Sequence, residues 1–264
     1  AFERADKAEV ATAYLFRSAH QMAQLARLLN KGADVVAKYE SLAENARDAW
    51  QKEFIDSQGQ LRVQTQASHV RALHFGLAPA EQRTQIASDL VALIDRAGMR
   101  LDTGFLSTPY LLPVLADNGY ADVAFALLFQ DAEPSWLNMR NKGATTMWER
   151  WGGIDAEGIP HESLNHYSKG AVISFLHHYV AGLRRGAAGY REFTVQPVIG
   201  GTLSAASTWL ESPHGRIEVS WKVRGNDFAL EVLVPADCAA AAVMPDGTRI
   251  QLASGRRSSL TCSV

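Results

Sequence analysis

The chain has 264 residues, a formal net charge of −2 at pH 7, 47% hydrophobic residues and 20% charged residues. This composition is typical of a globular protein with one large domain or two smaller ones. The near-neutral charge, with no basic cluster and no long apolar run, argues against nucleic acid or a membrane as a partner.

The first part of the sequence has apolar residues at the spacing of a helix. Asp6 is a candidate N-cap of the first helix, and Glu9, three residues on, is its candidate reciprocal capping partner. Gly32 is a candidate stop for this helix. The apolar residues that recur at helical spacing are Val10, Tyr14, Met22, Leu25 and Leu29.

Further helices follow as far as about residue 187. They are predicted over 35–54, 65–75, 79–97, from the loop 102–113 to a stop at Gly119, over 121–130, after Pro134, and over 165–183. Helices joined by short connections predict antiparallel helical hairpins, as in a solenoid or a closed toroid. The sequence has no fixed repeat period, which argues against a solenoid.

The last part of the chain has the pattern of short strands. Strands are predicted over 191–195, 204–210, 215–223, 228–234 and 248–252, separated by turn sequences such as Gly225-Asn226-Asp227. The stretch 216–223 alternates apolar and polar residues, as in a half-buried antiparallel strand. We therefore expect a helical domain over 1–187 and a small antiparallel β-sandwich over 188–264.

One loop combines a carboxylate with aromatic residues. Glu149 lies between Trp148 and Trp151 in a stretch bounded by glycines, and burying a carboxylate against indole rings has a free-energy cost. Such a pair suits a carbohydrate site, where a carboxylate activates water or protonates an oxygen. A surface Glu beside two core tryptophans is the structural alternative. Three further acidic residues of the same loop are weaker candidates: Asp155, Glu157 and Glu162.

His166 is a second candidate, because Asn165 as a helix N-cap would leave it in the first helical turn; a core histidine is the alternative. His161 and His166 are five residues apart, whereas two zinc ligands on one helix face are four apart. Cys238 and Cys262 lack metal-ligand spacing and allow one disulfide. We therefore expect no metal and no cofactor.

Several motifs occur together in a characteristic order. They are Ala11–Tyr14, Thr103–Phe105 with Thr108–Pro113, Pro134–Trp136, Gly143–Trp151 and Asn165–Tyr167, followed in the strand region by Pro197 and the turn Glu211–Gly215. The run Thr-Thr-Met-Trp-Glu-Arg-Trp within Gly143–Trp151 is the most specific. Taken together they resemble the bacterial α-L-rhamnosidases of glycoside hydrolase family 78, and the resemblance extends over essentially the whole chain.

This resemblance implies half of an (α/α)6 toroid of helical hairpins followed by the β-sandwich. It implies an inverting hydrolase that removes terminal α-L-rhamnose from glycosides. By the same resemblance, Glu149 is the general base that activates water and His166 binds a sugar hydroxyl. Trp148 and Trp151 are walls or supports of the pocket.

The sequence departs from the family pattern at one point. The general acid of the family lies in an acidic motif in the first half of the barrel, and this sequence has no such run. We therefore expect a C-terminal piece that is inactive alone and that pairs with the remaining N-terminal part of the enzyme. The alternatives are a non-catalytic glycan-binding module or another (α/α)6 glycosidase. The aglycone, the linkage and the compartment (bacterial cytoplasm, periplasm or medium) are left open.

Overall fold

The structure is a computed structural model that describes residues 5–264. The chain divides into two compact units between Lys169 and Gly170. The predicted domain boundary at residues 187/188 stays a prediction, and each unit is described by itself. The α-helices described in the first unit are Lys7–Leu28 (α1), Ala33–Phe54 (α2), Gln66–His74 (α3), Arg83–Arg96 (α4), Thr108–Asp117 (α5), Ala121–Leu128 (α6) and Trp136–Asn141 (α7).

The start of α1 is the predicted one. The Asp6 carboxylate accepts hydrogen bonds from the backbone N–H groups of Ala8 (2.9 Å) and Glu9 (3.0 Å), as an N-cap does. The reciprocal cap by Glu9 is wrong, because the Glu9 side chain is fully buried and accepts hydrogen bonds from Arg71 and Trp50. A buried guanidinium group is the stronger partner for a carboxylate, since both groups are charged.

The large apolar residues of α1 do not form its packed face. In this chain Met22 (42% exposed), Leu25 (49%) and Leu29 (62%) lie on the surface. α1 instead packs against α2 through a face of small side chains, including Ala19 and Ala23. The helical spacing seen in the sequence is that of the large apolar residues, whereas the small residues make the contact between α1 and α2.

The next four helices also pack in consecutive pairs. α3 packs on α4 and α5 packs on α6. The side chains in their cores are fully or almost fully buried: Val70, Leu73, Ile86, Leu90, Ile94, Leu111, Leu115, Val123 and Leu127. The prediction of helical hairpins is therefore confirmed. Among residues 5–264, none of the helices combines the length and the apolar character that crossing a membrane requires.

The last helical segment begins later than predicted. It starts at Ser168 rather than Asn165, with a 3-10 turn (Ser168–Ala171), one α-helical turn (Val172–Phe175, α8) and a π-helical turn (Leu176–Val180). Before it, the Ser163 hydroxyl accepts from the backbone N–H of Asn165 at 3.2 Å and donates to its carbonyl at 3.1 Å. Such local side-chain bonds compete with helix formation.

The second unit contains two four-stranded sheets, with strand orders β1-β2-β6-β7 and β3-β4-β5-β8. The strands are Leu183–Arg185 (β1), Glu192–Val195 (β2), Ala205–Ser212 (β3), Gly215–Arg224 (β4), Asp227–Leu233 (β5), Ala239–Val243 (β6), Arg249–Leu252 (β7) and Arg257–Ser263 (β8). The second sheet is antiparallel throughout. The first has one parallel pair, β2 with β6, because the chain builds β3–β5 of the other sheet between them.

The central strands of the second sheet alternate as predicted. Ile217, Val219 and Trp221 of β4 are buried, and the residues between them are more exposed. The Trp221 indole N–H donates to the carbonyl oxygen of Val180 at 2.7 Å, so this buried polar group is satisfied. The predicted β-sandwich is confirmed. Both cysteines are free, so the disulfide that the sequence allowed is not formed.

Candidate functional site

Two segments of the first unit pair side by side at the loop that carries Glu149. The backbone N–H of Glu149 donates to the carbonyl oxygen of Ser163 at 2.8 Å, and the N–H of His166 donates to that of Met147 at 2.7 Å. The pairing brings the two leading candidates, Glu149 and His166, onto neighbouring segments although they are 17 positions apart in the sequence. It also leaves the Glu149 side chain half-buried at the surface of the loop.

The Glu149 carboxylate has one weak hydrogen bond within the loop. Its Oε2 accepts from the backbone N–H of Ser163 at 3.4 Å. A carboxylate oxygen has several lone-pair positions, so most of the accepting capacity of Glu149 is available to water or a ligand. This group can therefore take a proton from a bound water molecule.

The two tryptophans beside Glu149 have different surroundings. Trp148 is only 2% exposed, and its ring packs against the backbone of Gly153, where an added Cβ would lie 2.9 Å from Cε3. Trp151 is half-buried; it meets Trp136 edge-on at 5.2 Å, and its indole N–H points to the carbonyl oxygen of Thr103 at 3.4 Å. Of the two predicted roles, only support is open to Trp148, since a wall needs an accessible ring face.

His166 has one ring nitrogen fixed by its neighbour. Its Nδ1 accepts from the backbone N–H of Ser168 at 3.3 Å and lies 2.9 Å from the Ser168 hydroxyl. Because Nδ1 accepts, the neutral ring carries its proton on Nε2, which is then a donor. The ring stacks on Tyr167 with centroids 4.9 Å apart and lies 6.4 Å from the ring of Phe105. A sugar hydroxyl is a suitable acceptor for the Nε2 proton.

Lys169 belongs to this site, although nothing in its sequence context predicts it. Its side chain is almost completely buried, and Nζ donates to the carbonyl oxygen of Glu149. The nitrogen also lies 4.8 Å from the centroid of the Trp151 ring. Burial lowers the pKa of Lys169 to about 8, against the opposing effect of the Glu149 charge. A single lysine in Ser-Lys-Gly has the pattern of any surface lysine, so sequence reasoning missed it.

Of the weaker acidic candidates, Asp155 is engaged by the turn in which it lies, whereas Glu157 and Glu162 are exposed. The Asp155 carboxylate accepts from the backbone N–H groups of Glu157 (3.1 Å) and Ile159 (2.8 Å) and lies 2.7 Å from His161. These bonds, with the one to His161 first, lower the pKa of Asp155. Glu162 is exposed, with a left-handed backbone (φ 59°). Within residues 5–264, groups of three or more His, Cys, Asp or Glu side chains suited to a metal ion do not occur.

Two protein families match the sequence, one directly after the other. Residues 1–180 match the family described as the bacterial alpha-L-rhamnosidase 6 hairpin glycosidase domain. Residues 182–259 match the one described as the bacterial alpha-L-rhamnosidase C-terminal domain.

Individual relatives of this chain are named alpha-L-rhamnosidases. The chain is 40% identical over 240 residues to an alpha-L-rhamnosidase of Streptomyces avermitilis, a match that covers 89% of this chain and 23% of that protein. It is 34% identical over 242 residues to an alpha-L-rhamnosidase of Formosa agariphila, with 89% and 26% covered. The chain thus spans about a quarter of the length of these relatives.

Solved structures extend the similarity to the fold. The crystal structure of the Streptomyces avermitilis alpha-L-rhamnosidase complexed with L-rhamnose matches with a TM-score of 0.91 at 35% identity, over 97% of this chain and 27% of that one. The native alpha-L-rhamnosidase from Aspergillus terreus matches with a TM-score of 0.93 at 32% identity, over 99% and 31%. The three helical pairs described above are half of the six hairpins in the family description, so the predicted half-toroid is confirmed.

Proposed function

Since this chain belongs to the bacterial alpha-L-rhamnosidase family, we propose that it supplies part of the active site of a glycoside hydrolase that removes terminal α-L-rhamnose. One observation carries the proposal. The pairing of residues 147–149 with residues 163–166 brings a half-buried carboxylate and a histidine with an Nε2 donor onto neighbouring segments, and the half-buried indole of Trp151 lies two residues after the carboxylate. These groups suit a sugar, which offers hydroxyl groups to the polar side chains and C–H faces to the ring.

In the proposed mechanism Glu149 is the general base of an inverting hydrolysis. Its carboxylate takes a proton from water as that water attacks the anomeric carbon, and a second carboxylic acid protonates the departing glycosidic oxygen. The two carboxyl groups of an inverting enzyme are roughly 6.5–9.5 Å apart, which leaves room for the water. His166 donates from Nε2 to a hydroxyl of the rhamnose. Trp151 lines the pocket. Trp148, which is buried against the backbone of Gly153, supports the loop that carries Glu149.

Further parts of the same enzyme supply the general acid in this proposal. Two observations support this. The named relatives are about four times as long as the matched region. In addition, α1 exposes a row of apolar side chains at helical spacing: Leu15, Met22, Leu25 and Leu29. An exposed apolar face of this kind is typical of a surface that another element covers. The predicted pairing with the N-terminal part of the enzyme is consistent with both.

The experiment is a panel of aryl glycosides offered to the intact enzyme, with the anomer released first identified by NMR. We expect release from the α-L-rhamnoside and, as the first product, β-L-rhamnose, because attack by water from the opposite face inverts the anomeric carbon. Hydrolysis of a different glycoside in preference would identify another sugar. Binding of rhamnose with no hydrolysis of any substrate would identify a glycan-binding module. First release of α-L-rhamnose would contradict the role of Glu149 as a base.

A further inference from the structure

Lys169 contacts several elements of the first unit at the same time. Its side-chain nitrogen donates to the backbone of Glu149 and faces the ring of Trp151. Its own carbonyl oxygen accepts from the indole N–H of Trp136 at 2.9 Å. One residue therefore contacts the loop of the proposed base, the ring beside that base, and α7.

Lys169 also directly follows Ser168, the residue that holds the ring of His166. Ser168 precedes Lys169, is 3% exposed, and donates from its backbone to Nδ1 of His166. Any displacement of Lys169 thus reaches both the proposed base and the proposed sugar ligand. The relative placement of Glu149 and His166 depends on this short stretch.

Burying an ammonium group here has a free-energy cost that an apolar side chain would avoid. Transfer of a charged group out of water is unfavourable unless it is paired and hydrogen-bonded. Methionine has a similar length and fills the same space with no charge. The ammonium of Lys169 has three partners in return: the Glu149 carbonyl, the π-face of Trp151, and the negative charge of Glu149.

We propose that Lys169 is a positioning residue, whose side-chain nitrogen holds the backbone of Glu149 and the ring of Trp151 in register with the turn that carries His166. The inference rests on the proposed rhamnosidase function, and it assigns Lys169 no contact with the sugar. Its effect on the reaction is geometric. A catalytic group that moves by about 1 Å loses roughly a hundredfold in rate, so the anchor of the base loop affects turnover.

The chain offers a matched control in Lys142. Its Nζ donates to the carbonyl oxygen of Ile154 at 2.9 Å and lies 3.4 Å from the carboxylate of Glu133. Lys142 therefore also binds a carbonyl of the 149–163 loop, but it is exposed and contacts neither Glu149 nor Trp151. Lys142→Met removes the same charge and donors as Lys169→Met, at a place where the base is not held.

The first part of the test uses the intact enzyme and needs no activity. Tryptophan fluorescence is followed against pH through about 8, where Lys169 loses its proton and its attraction to the Trp151 ring. We expect a transition there in the unmodified enzyme and in Lys142→Met, and none in Lys169→Met. An identical transition in all three proteins would overturn the inference, because the titrating group would then not be Lys169.

The second part measures turnover of a rhamnoside by the intact enzyme. We expect Lys169→Met to lower kcat roughly tenfold to a hundredfold with KM nearly unchanged, since the sugar contacts remain. Lys169→Arg should retain more activity than Lys169→Met, because a guanidinium group keeps the charge and the hydrogen-bond donors. A kcat for Lys169→Met equal to that of Lys142→Met would overturn the inference.

The arginine variant decides the matter by itself if Lys169→Met does not fold. A Lys169→Arg protein that kept the fluorescence transition near pH 8 would overturn the inference, because a guanidinium group stays charged there and the titrating group would then not be Lys169. Failure of the proposed function is distinct from both results. An unmodified enzyme that releases no rhamnose, together with the fluorescence transition expected above, would overturn the rhamnosidase proposal and still support Lys169 as the anchor of the loop.

Discussion

Replacing Arg71 with methionine tests how the helices of the first unit are held together. The Arg71 side chain is 4% exposed, and that of its partner Glu9 is fully buried. Nε of Arg71 donates to Oε1 of Glu9 at 3.3 Å, Nη2 donates to Oε2, and Nη1 donates to the Ser107 hydroxyl at 3.0 Å. The Trp50 indole is the other donor to this carboxylate, at 3.3 Å. The pair therefore links α1, α2, α3 and the loop before α5.

The substitution keeps most of the side-chain volume and removes the charge. It leaves the Glu9 carboxylate buried with only the Trp50 donor. Breaking a buried pair on one side costs about 3–5 kcal/mol, because an uncompensated charge stays in the interior. We expect Arg71→Met to lose about that much of its free energy of unfolding. The double variant Glu9→Gln, Arg71→Met should recover part of the loss, since the buried charge is then gone as well.

The assay is urea unfolding followed by far-UV circular dichroism, which reports on the helices. Arg27→Met is the matched control, because Arg27 pairs with Glu40 at the surface, where the two side chains are 53% and 40% exposed. Exposed pairs contribute about 0–1 kcal/mol, so this variant should be nearly as stable as the unmodified chain. If Arg71→Met lost no more stability than Arg27→Met, the buried pair would not be holding these helices together.

Two further predictions concern pH and backbone conformation. Partial burial against Tyr110 lowers the pKa of His74 to about 4, so as the pH falls from about 6.5 the unfolded chain takes up this proton first and stability decreases until about pH 4. The loss in urea midpoint between about pH 7 and pH 5 should be smaller in His74→Phe, and an equal loss would contradict the assignment. Gly182→Ala should destabilise the second unit more than Gly247→Ala does in thermal unfolding. Both glycines have positive φ, but only at Gly182 would a Cβ lie 2.4 Å from the backbone of Pro197.

Local signals in the sequence predicted local structure well. The Asp6 cap, the turn-bounded strands β3, β4 and β5 and the stop at Gly119 each depend on neighbouring residues, and the structure has all three; the unpredicted strand β8 completes the second sheet. Long-range partners were not predictable in the same way. Glu9 is placed correctly for a capping box, yet its partner Arg71 is 62 positions away. The competition between a local and a distant partner is decided by packing, which periodicity does not contain.

Small residues explain most of the other differences. α1 meets α2 through alanines, whereas a hydrophobic period is dominated by leucine and methionine. The strand β6 is almost entirely alanine, a residue with low strand propensity, and its pairing with β2 depends on residues far apart in the chain.

The candidate site, like the fold, could be predicted from the sequence only in part. A specific sequence run identified Trp148, Glu149 and Trp151 as candidates, and the Asn165-His166-Tyr167 motif after it identified His166. The backbone pairing that brings Glu149 and His166 together, and the burial of Lys169 beneath them, follow from the tertiary fold. The sequence around a single lysine contains no pattern that distinguishes a buried lysine from a solvent-exposed one. Its role became visible only through its contacts.

The most direct test of the account is the turnover of an α-L-rhamnoside by the intact enzyme with Glu149→Gln. Glutamine keeps the shape of the side chain and cannot accept the proton of the attacking water. We predict that kcat falls at least about a hundredfold with little change in KM, within the range for loss of a general base. Glu162→Gln, which alters an exposed carboxylate of the same loop, should leave kcat near that of the unmodified enzyme. A near-normal kcat for Glu149→Gln would contradict the central claim that Glu149 is the base.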